Sequence, residues 1–233
     1  MSSMPSLQLA EALAPKDKVI LRPRPLFHAS KCCFDFVFSG LLLLLLTPLY
    51  ALLAVLIKLD SNGPVFFVQR VLGQNGSEFR QYKFRSMLPD SQSEDHVSYV
   101  ERNVRRREPT SVDEKGPIFK TALADRGRIT FVGRFLRRGS LDELPQLWNI
   151  FRGEMSFVGP RPALPYEAGL YEEWQKQRFL EKPGLTGLYQ VTARNRVPIE
   201  DMIRIDLEYI RRQSVWLDLK IILRTPSAML SGL

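Results

Sequence analysis

The sequence predicts an α/β protein, mainly helical, with one small β-hairpin and an apolar segment near its N-terminus. Three observations lead there. Residues Phe36 to Ile57 form a run of 22 positions without a charge. Asn75-Gly76 separates two stretches rich in Val, Phe and Tyr, a strong short-range hairpin signal. Beyond Thr130, several segments show helical spacing punctuated by Gly and Pro. With 233 residues in all, the chain has room for one domain with a sizeable core and an appendage.

Composition narrows the partners. Lys and Arg outnumber Asp and Glu by 33 to 25, a formal charge of +8, which favours anionic ligands: nucleic acid, acidic lipid or phosphorylated small molecules. The two cysteines, Cys32 and Cys33, are adjacent. Neighbouring cysteines strain a disulfide, and no zinc-type spacing is present, so they read as free thiols in a reducing compartment.

Taking the elements in order, residues to about Pro25 are polar, proline-containing and weakly periodic, a flexible arm. The apolar run that follows would be about 33 Å long as a straight helix, enough to cross a bilayer. It lies too far into the chain and is too long for a signal peptide, and it is apolar on every face, unlike a core helix of a soluble domain. Thr47-Pro48 at its centre predicts a kink, which permits a bent span or a re-entrant hairpin. Lys16, Lys18, Arg22, Arg24 and Lys31 precede the run and put its N-terminal flank on the cytoplasmic side.

Gly63 to Gly73 and Phe79 to Phe84 are the hairpin strands, with Lys83 and Arg85 projecting from one face. Residues Pro89 to Lys115 are highly charged; within them Tyr99 to Arg107 reads as a basic helix whose Arg102, Arg105, Arg106 and Arg107 face acidic headgroups or water. Gly116 to Lys120 is a short apolar piece. Helices are expected at Thr130 to Arg138, Tyr166 to Lys182, Ile199 to Ile210 and Trp216 to Leu223, the last apolar enough for an interface. The stretch from Pro183 to Asn195 reads as turn-like. Pro160 and Pro162 stiffen the backbone on either side of Arg161.

The segment Ser140-Leu141-Asp142-Glu143 fits an S-x-x-E capping box. Pro145 conflicts with it, because as the fifth helical residue it lacks the N–H that should donate to Leu141. The regular helix is therefore expected to begin near Asp142 or later, with two carboxylates at its mouth. Arg137, Arg138, Arg152 and Arg161 are close in sequence. Arginines at a helix N-terminus bind phosphate. Carboxylates in the same place fit phosphate chemistry only if they hold a divalent cation or attack phosphorus. Phosphoryl transfer is the reading this combination favours.

The ordered segments "KFRSM", "GPIFK", "GRFLRRGSLDELPQLWNIFRGEMSFVGPRP", "PGLTGLYQV" and "DLKIILRT" resemble the bacterial sugar transferase family, monotopic phosphoglycosyl transferases that act on polyprenyl phosphate. The resemblance covers roughly Phe34 to Thr225. It implies that Asp142 is the nucleophile toward the β-phosphate of a nucleoside-diphosphate sugar and that Glu143 is its dyad partner. Mg2+ would sit beside the dyad on Asp142. Lys83, Arg137, Arg161 and Arg194 would line the phosphate site. Thr47-Pro48 would be the pair that turns the membrane helix back, keeping arm and domain cytosolic.

The resemblance divides the chain into an arm (1–30), a re-entrant membrane helix-break-helix (31–58) and a cytosolic catalytic domain (59–233) seated by amphipathic helices at the inner leaflet of the bacterial cytoplasmic membrane. The implied substrates are a UDP-sugar and undecaprenyl phosphate, and the implied role is to initiate polysaccharide or glycoconjugate assembly. Several positions depart from the family's pattern: Gln69 and Arg70 are adjacent, "ADRGRIT" carries Asp125 in an unusual context, and Leu188, Thr192 and Ala193 replace commoner residues. These bear on sugar or nucleotide preference more than on the reaction. A membrane-anchored scaffold for acidic lipid is the competing class, and it has no use for carboxylates among arginines. Nucleic acid is not an expected partner, since only net charge speaks for it. A homo-oligomer is compatible with the sequence.

Overall fold

In a computed structural model of the chain, the structure describes residues 24–88, 112–113, 116–117, 128–193 and 197–231. The arm up to residue 23, the segment with Arg102, Arg105, Arg106 and Arg107, and Arg194 lie outside the described residues.

The apolar run forms two helices, α1 (Pro25–Leu45) and α2 (Thr47–Asp60), joined at Leu46 with φ −87° and ψ 3°. α1 begins inside the stretch that the sequence assigns to the arm. The break precedes Pro48, so that proline occupies the first turn of α2, where an N–H has no helical partner to lose. Backbone bonding runs across the joint, from Leu46 N–H to Leu42 O at 2.9 Å and from Tyr50 N–H to Leu46 O at 2.9 Å. Thr47 Oγ1 donates to Leu43 O at 2.9 Å, engaging a carbonyl at the end of α1.

Among the described residues, α1 is the one helix long and apolar enough to cross a membrane. Phe36, Val37, Leu41, Leu44, Leu45, Leu52, Val55 and Leu59 are exposed along the pair. Both helices also touch the rest of the chain. Phe36 stacks on Phe151, Lys31 pairs with Asp218 at 2.5 Å, and Asp35 accepts from the Phe157 N–H at 3.1 Å.

The hairpin forms as its sequence requires. β1 (Phe66–Leu72) pairs antiparallel with β2 (Glu78–Phe84), Phe66 opposite Phe84 and Leu72 opposite Glu78. Asn75 and Gly76 take φ of 57° and 73° in the turn, the left-handed region those two residues tolerate. A second short antiparallel pair joins β3 (Val112–Asp113) to β4 (Gly116–Pro117).

α3 (Phe131–Arg138) is capped by Thr130, whose Oγ1 accepts from the Gly133 N–H at 3.0 Å. A 3-10 turn (Leu141–Glu143) and α4 (Gln146–Phe151) follow, then β5 (Ser156–Val158). The helix expected over Tyr166 to Lys182 is instead three pieces: α5 (Pro165–Ala168), α6 (Glu173–Lys176) and a 3-10 turn (Gln177–Leu180). α5 ends at Gly169, and a new start is set at Glu172, whose N–H donates to Gln175 Oε1 at 2.7 Å.

The stretch read as turn-like contains β6 (Gly184–Thr186), parallel to β5, and α7 (Leu188–Thr192). Two longer helices close the fold, α8 (Ile199–Arg212) and α9 (Val215–Ser231). α8 carries Glu200 and Asp201 in its first turn and Arg211 and Arg212 in its last, the signs its dipole favours.

The larger core lies where β5, α4 and α8 meet, around Ile150, Val158, Ile203, Leu207 and Tyr209. A smaller one, Leu53, Ile57, Phe84 and Leu136, ties α2 to the hairpin and to α3. Its burial of side chains from three separate segments, with Leu141 and Leu144 packed against them, brings α2 against the Asp-Glu turn.

Candidate functional site

Asp142 and Glu143 occupy the 3-10 turn between α3 and α4. Ser140 enters that turn in the left-handed region, φ 50° and ψ 25°, a conformation that costs a non-glycine residue about 1–2 kcal/mol. Its side chain makes no cap hydrogen bond, in keeping with the conflict that Pro145 sets against the capping box. The regular helix begins at Gln146 with Pro145 as its N-cap residue, later than the carboxylates.

Lys83 reaches this turn from β2, its Nζ 3.4 Å from Glu143 Oε1. Three polar contacts explain why the strand lies there. Gln81 Nε2 donates to Gln146 Oε1 at 3.1 Å, the Tyr82 N–H donates to Asn149 Oδ1 at 3.1 Å, and Asn149 Nδ2 donates to Arg80 O at 2.6 Å. The buried Asn149 side chain thus supplies both bonds that a further strand would give to this edge of β2.

Arg137, in the last turn of α3, donates from Nε to Ser86 Oγ at 3.0 Å and from Nη2 to Met87 Sδ at 3.1 Å. Both acceptors belong to the "KFRSM" segment. Burial and the neighbouring Glu143 raise the Asp142 carboxyl above the usual range, while Lys83 and Arg137 pull it down.

Arg85 does not join Lys83 at the dyad. It is buried, and its Nη2 donates to Ser61 O at 2.6 Å, Ser61 Oγ at 2.9 Å and Ile57 O at 3.3 Å. A cation at the last carbonyls of α2 complements the negative end of the helix dipole. On the other side of the turn, Tyr50 of α2 donates from its hydroxyl to Leu144 O at 2.6 Å.

Arg161 sits in a second polar cluster. Its guanidinium lies in the fields of Glu167 and Arg178, beside Tyr189 and Tyr171. Its backbone is held by a buried pair, Arg178 and Asp206, whose charged atoms are 2.6 Å apart. Burial pushes the Asp206 carboxyl up to about 6, against the pull of Arg178. The structure thus gathers Asp142, Glu143, Lys83 and Arg137 around one turn and holds Arg161 in the other cluster, with Glu167, Arg178 and Asp206.

Sequence reasoning missed Tyr50, Ser86, Met87, Gln146, Asn149, Arg178 and Asp206. Gln146 and Asn149, polar residues inside "LPQLWNIF", were the available signal; the others carry none that is local.

Among the described residues no group of three or more His, Cys, Asp or Glu is arranged to hold a metal. The Asp142–Glu143 pair fits Mg2+ nonetheless, because that ion is usually held by one or two carboxylates, with water and substrate phosphate completing its octahedron.

Residues 26–232 match the family model described as bacterial sugar transferase. The chain is 38% identical over 209 residues to the exopolysaccharide production protein ExoY of Sinorhizobium fredii (strain NBRC 101917 / NGR234), covering 89% of each chain. It is 41% identical over 229 residues to the undecaprenyl-phosphate glucose phosphotransferase of Komagataeibacter xylinus, 92% of this chain and 39% of that one. It is 39% identical over 200 residues to the UDP-galactose-lipid carrier transferase of Erwinia amylovora, 86% of this chain and 40% of the relative. The chain therefore spans about two fifths of the last two relatives and nearly all of the first.

Proposed function

The chain belongs to the bacterial sugar transferase family, and on that footing we propose that it moves a sugar-1-phosphate from a UDP-sugar to undecaprenyl phosphate, releasing UMP. Relatives named UDP-galactose-lipid carrier transferase and undecaprenyl-phosphate glucose phosphotransferase support the substrate classes. The observation that carries the reading is the Asp142 carboxylate in a turn shared with Glu143 and approached by Lys83 from β2 and Arg137 from α3.

In this reading an Asp142 oxygen attacks the β-phosphorus of the donor. The bond from that phosphorus to the bridging oxygen breaks, and UMP departs with the electron pair. The sugar-1-phosphate stays on Asp142 as an acyl phosphate. A phosphate oxygen of undecaprenyl phosphate then attacks the same phosphorus, breaks its bond to Asp142 and restores the carboxylate. Glu143 assists this second step by accepting the proton of a monoprotonated lipid phosphate. Lys83, Arg137 and Arg161 neutralise phosphate oxygens as charge redistributes, with Arg194 in the same role. Mg2+ held through Asp142 would supply Lewis-acid stabilisation of the diphosphate.

The α1–α2 pair is re-entrant in this reading. The exposed apolar side chains of both helices, and the contacts that both make to the same domain, support a helix that enters the inner leaflet and returns. Exposed Phe131 and Phe135 beside Arg134 and Arg138 on α3, and exposed Trp216, Leu219 and Leu223 on α9, fit helices lying at the headgroup level.

The test is turnover by the full chain in detergent or nanodiscs, with UDP-glucose and UDP-galactose as donors and undecaprenyl phosphate as acceptor. Donor-dependent UMP release that disappears in Asp142→Asn is expected. Undiminished release by that variant removes Asp142 as nucleophile.

A further inference from the structure

The fold interior holds a charged pair that the proposed chemistry does not use. Arg178 and Asp206 are both buried, at 1% and 0% exposure. Arg178 comes from the 3-10 turn after α6 and Asp206 from the inner face of α8. Burying such a pair removes two ions from water, and an apolar pair of similar volume is often as stable or more so. Stability therefore does not explain why a largely apolar core contains it.

The hydrogen bonds point to another use. Arg178 Nη2 donates to Asp206 Oδ2 at 2.6 Å and to the carbonyl of Arg161 at 2.7 Å. The Arg161 N–H donates to the same Asp206 oxygen at 3.3 Å. One ion pair thus holds both backbone polar groups of one residue, closing a ring from N–H to carboxylate to guanidinium to carbonyl. Arg178 is itself fixed: its Nη1 donates to the Tyr171 hydroxyl at 3.1 Å, and its guanidinium lies 5.8 Å from the centre of that ring.

Neighbouring bonds fix the chain on the N-terminal side. The Gly159 N–H donates to Thr186 O at 3.0 Å, and Pro160 O accepts from the Gly184 N–H at 2.8 Å. Pro160 and Pro162 lock their own φ angles on either side. The Arg161 residue as a whole is exposed, while its guanidinium is set in the fields of Glu167, Tyr189 and Tyr171. Its backbone is over-determined, and the side chain extends from that fixed point.

We propose that Arg178 and Asp206 are positioning residues for Arg161: the buried pair clamps its backbone so that its guanidinium is presented in one direction to the diphosphate of the donor. This rests on the function proposed above. A preset guanidinium loses less freedom on meeting phosphate and keeps its fork aligned while charge shifts.

The test is a double-mutant cycle on the full chain in nanodiscs, with UDP-glucose and UDP-galactose as donors. Arg178→Met/Asp206→Leu replaces the clamp by an apolar pair of similar volume. It should fold, lower kcat/KM to within about threefold of Arg161→Ala, and show less than about threefold further loss when Arg161→Ala is added. Losses that multiply overturn the proposal. Should that variant not fold, Arg178→Lys carries the same cycle, because an ammonium keeps the charge yet replaces with one nitrogen the planar fork whose Nη1 meets Tyr171 and whose Nη2 meets Asp206 and the Arg161 carbonyl.

A wild-type chain that turns over no donor sinks the functional reading instead. Hydrogen exchange then decides on the clamp alone: the Arg161 amide should exchange at least about tenfold faster in Arg178→Lys than in wild type, with Gly159 unchanged. Equal rates at Arg161 overturn it.

Discussion

The Tyr50 hydroxyl donates to the Leu144 carbonyl at 2.6 Å, joining the second helix of the apolar pair to the residue immediately after the Asp-Glu dyad. Tyr50 and Leu144 both pack against the small core of Leu53, Ile57, Phe84 and Leu136, so the bond ties the dyad turn to α2 beside that core. Tyr50→Phe keeps the ring against Phe84 and removes only the hydroxyl. It should cost about 1 kcal/mol of stability, the net worth of one hydrogen bond. If the tie orients the turn, kcat falls severalfold while donor KM changes less. Chemical denaturation and steady-state kinetics on the same preparation separate the two effects.

Asp142→Asn should be inactive and more stable at neutral pH. Burial and Glu143 raise the Asp142 carboxyl in the folded chain. A carboxyl whose folded pKa lies above its unfolded value binds its proton more tightly in the fold. Ionising it therefore costs stability, and the cost grows as pH rises from the unfolded value, about 3.9, through the folded one and then levels off. Asparagine removes that cost. The variant should melt above wild type at pH 7, with the gap closing toward pH 3, while turnover drops at least ~10³-fold. A variant that melts below wild type at pH 7 contradicts the electrostatic account.

Much of this site was legible in the sequence, and the reasons it was legible are local. Asn75-Gly76 announced the hairpin because its left-handed turn needs those residues. Pro145 announced that the regular helix begins after Ser140, near Asp142 or later, because a missing N–H cannot be hidden within a helix; the structure delays the start to Gln146. The misreadings share a different cause. Tyr166 to Lys182 has the composition of one helix, but Gly169 and the Glu172–Gln175 cap reset the chain within it. β6 was read as a turn because its three residues have no partner nearer than β5. Arg178 and Asp206 look like two solvated charges in sequence; only a contact between segments 28 residues apart shows that they are buried together.

Lys83→Met should separate catalysis from stability. The Lys83–Glu143 pair is partly exposed, with side chains 27% and 36% accessible, so its loss should change stability by less than about 1 kcal/mol. The proposed contact of Lys83 with phosphate acts where charge develops, and its removal should lower kcat/KM by about 10²-fold. Lys83→Arg, longer and forked, should recover part of that. Loss of activity that only tracks loss of folded protein contradicts the assignment.

Gly133→Ala tests whether the seat of Arg137 matters. A Cβ at Gly133 would stand 2.1 Å from Ser86 O, a backbone atom that has to move. That carbonyl also accepts from the Thr130 N–H at 3.3 Å, and the Ser86 hydroxyl accepts from Arg137 Nε. One methyl group therefore pushes apart α3 and the segment between β2 and α3 at the point where they orient a guanidinium beside Asp142. Overpacking of this kind costs about 1–3 kcal/mol, and the displaced Ser86 should lower kcat/KM in the folded fraction as well. Ser86→Ala is the companion variant: it removes the hydroxyl without the steric push, so it should leave stability nearly unchanged while reproducing part of the kinetic loss. Full activity in Ser86→Ala, with a deficit in Gly133→Ala explained by unfolding alone, would mean that Arg137 is oriented by something other than this hydroxyl.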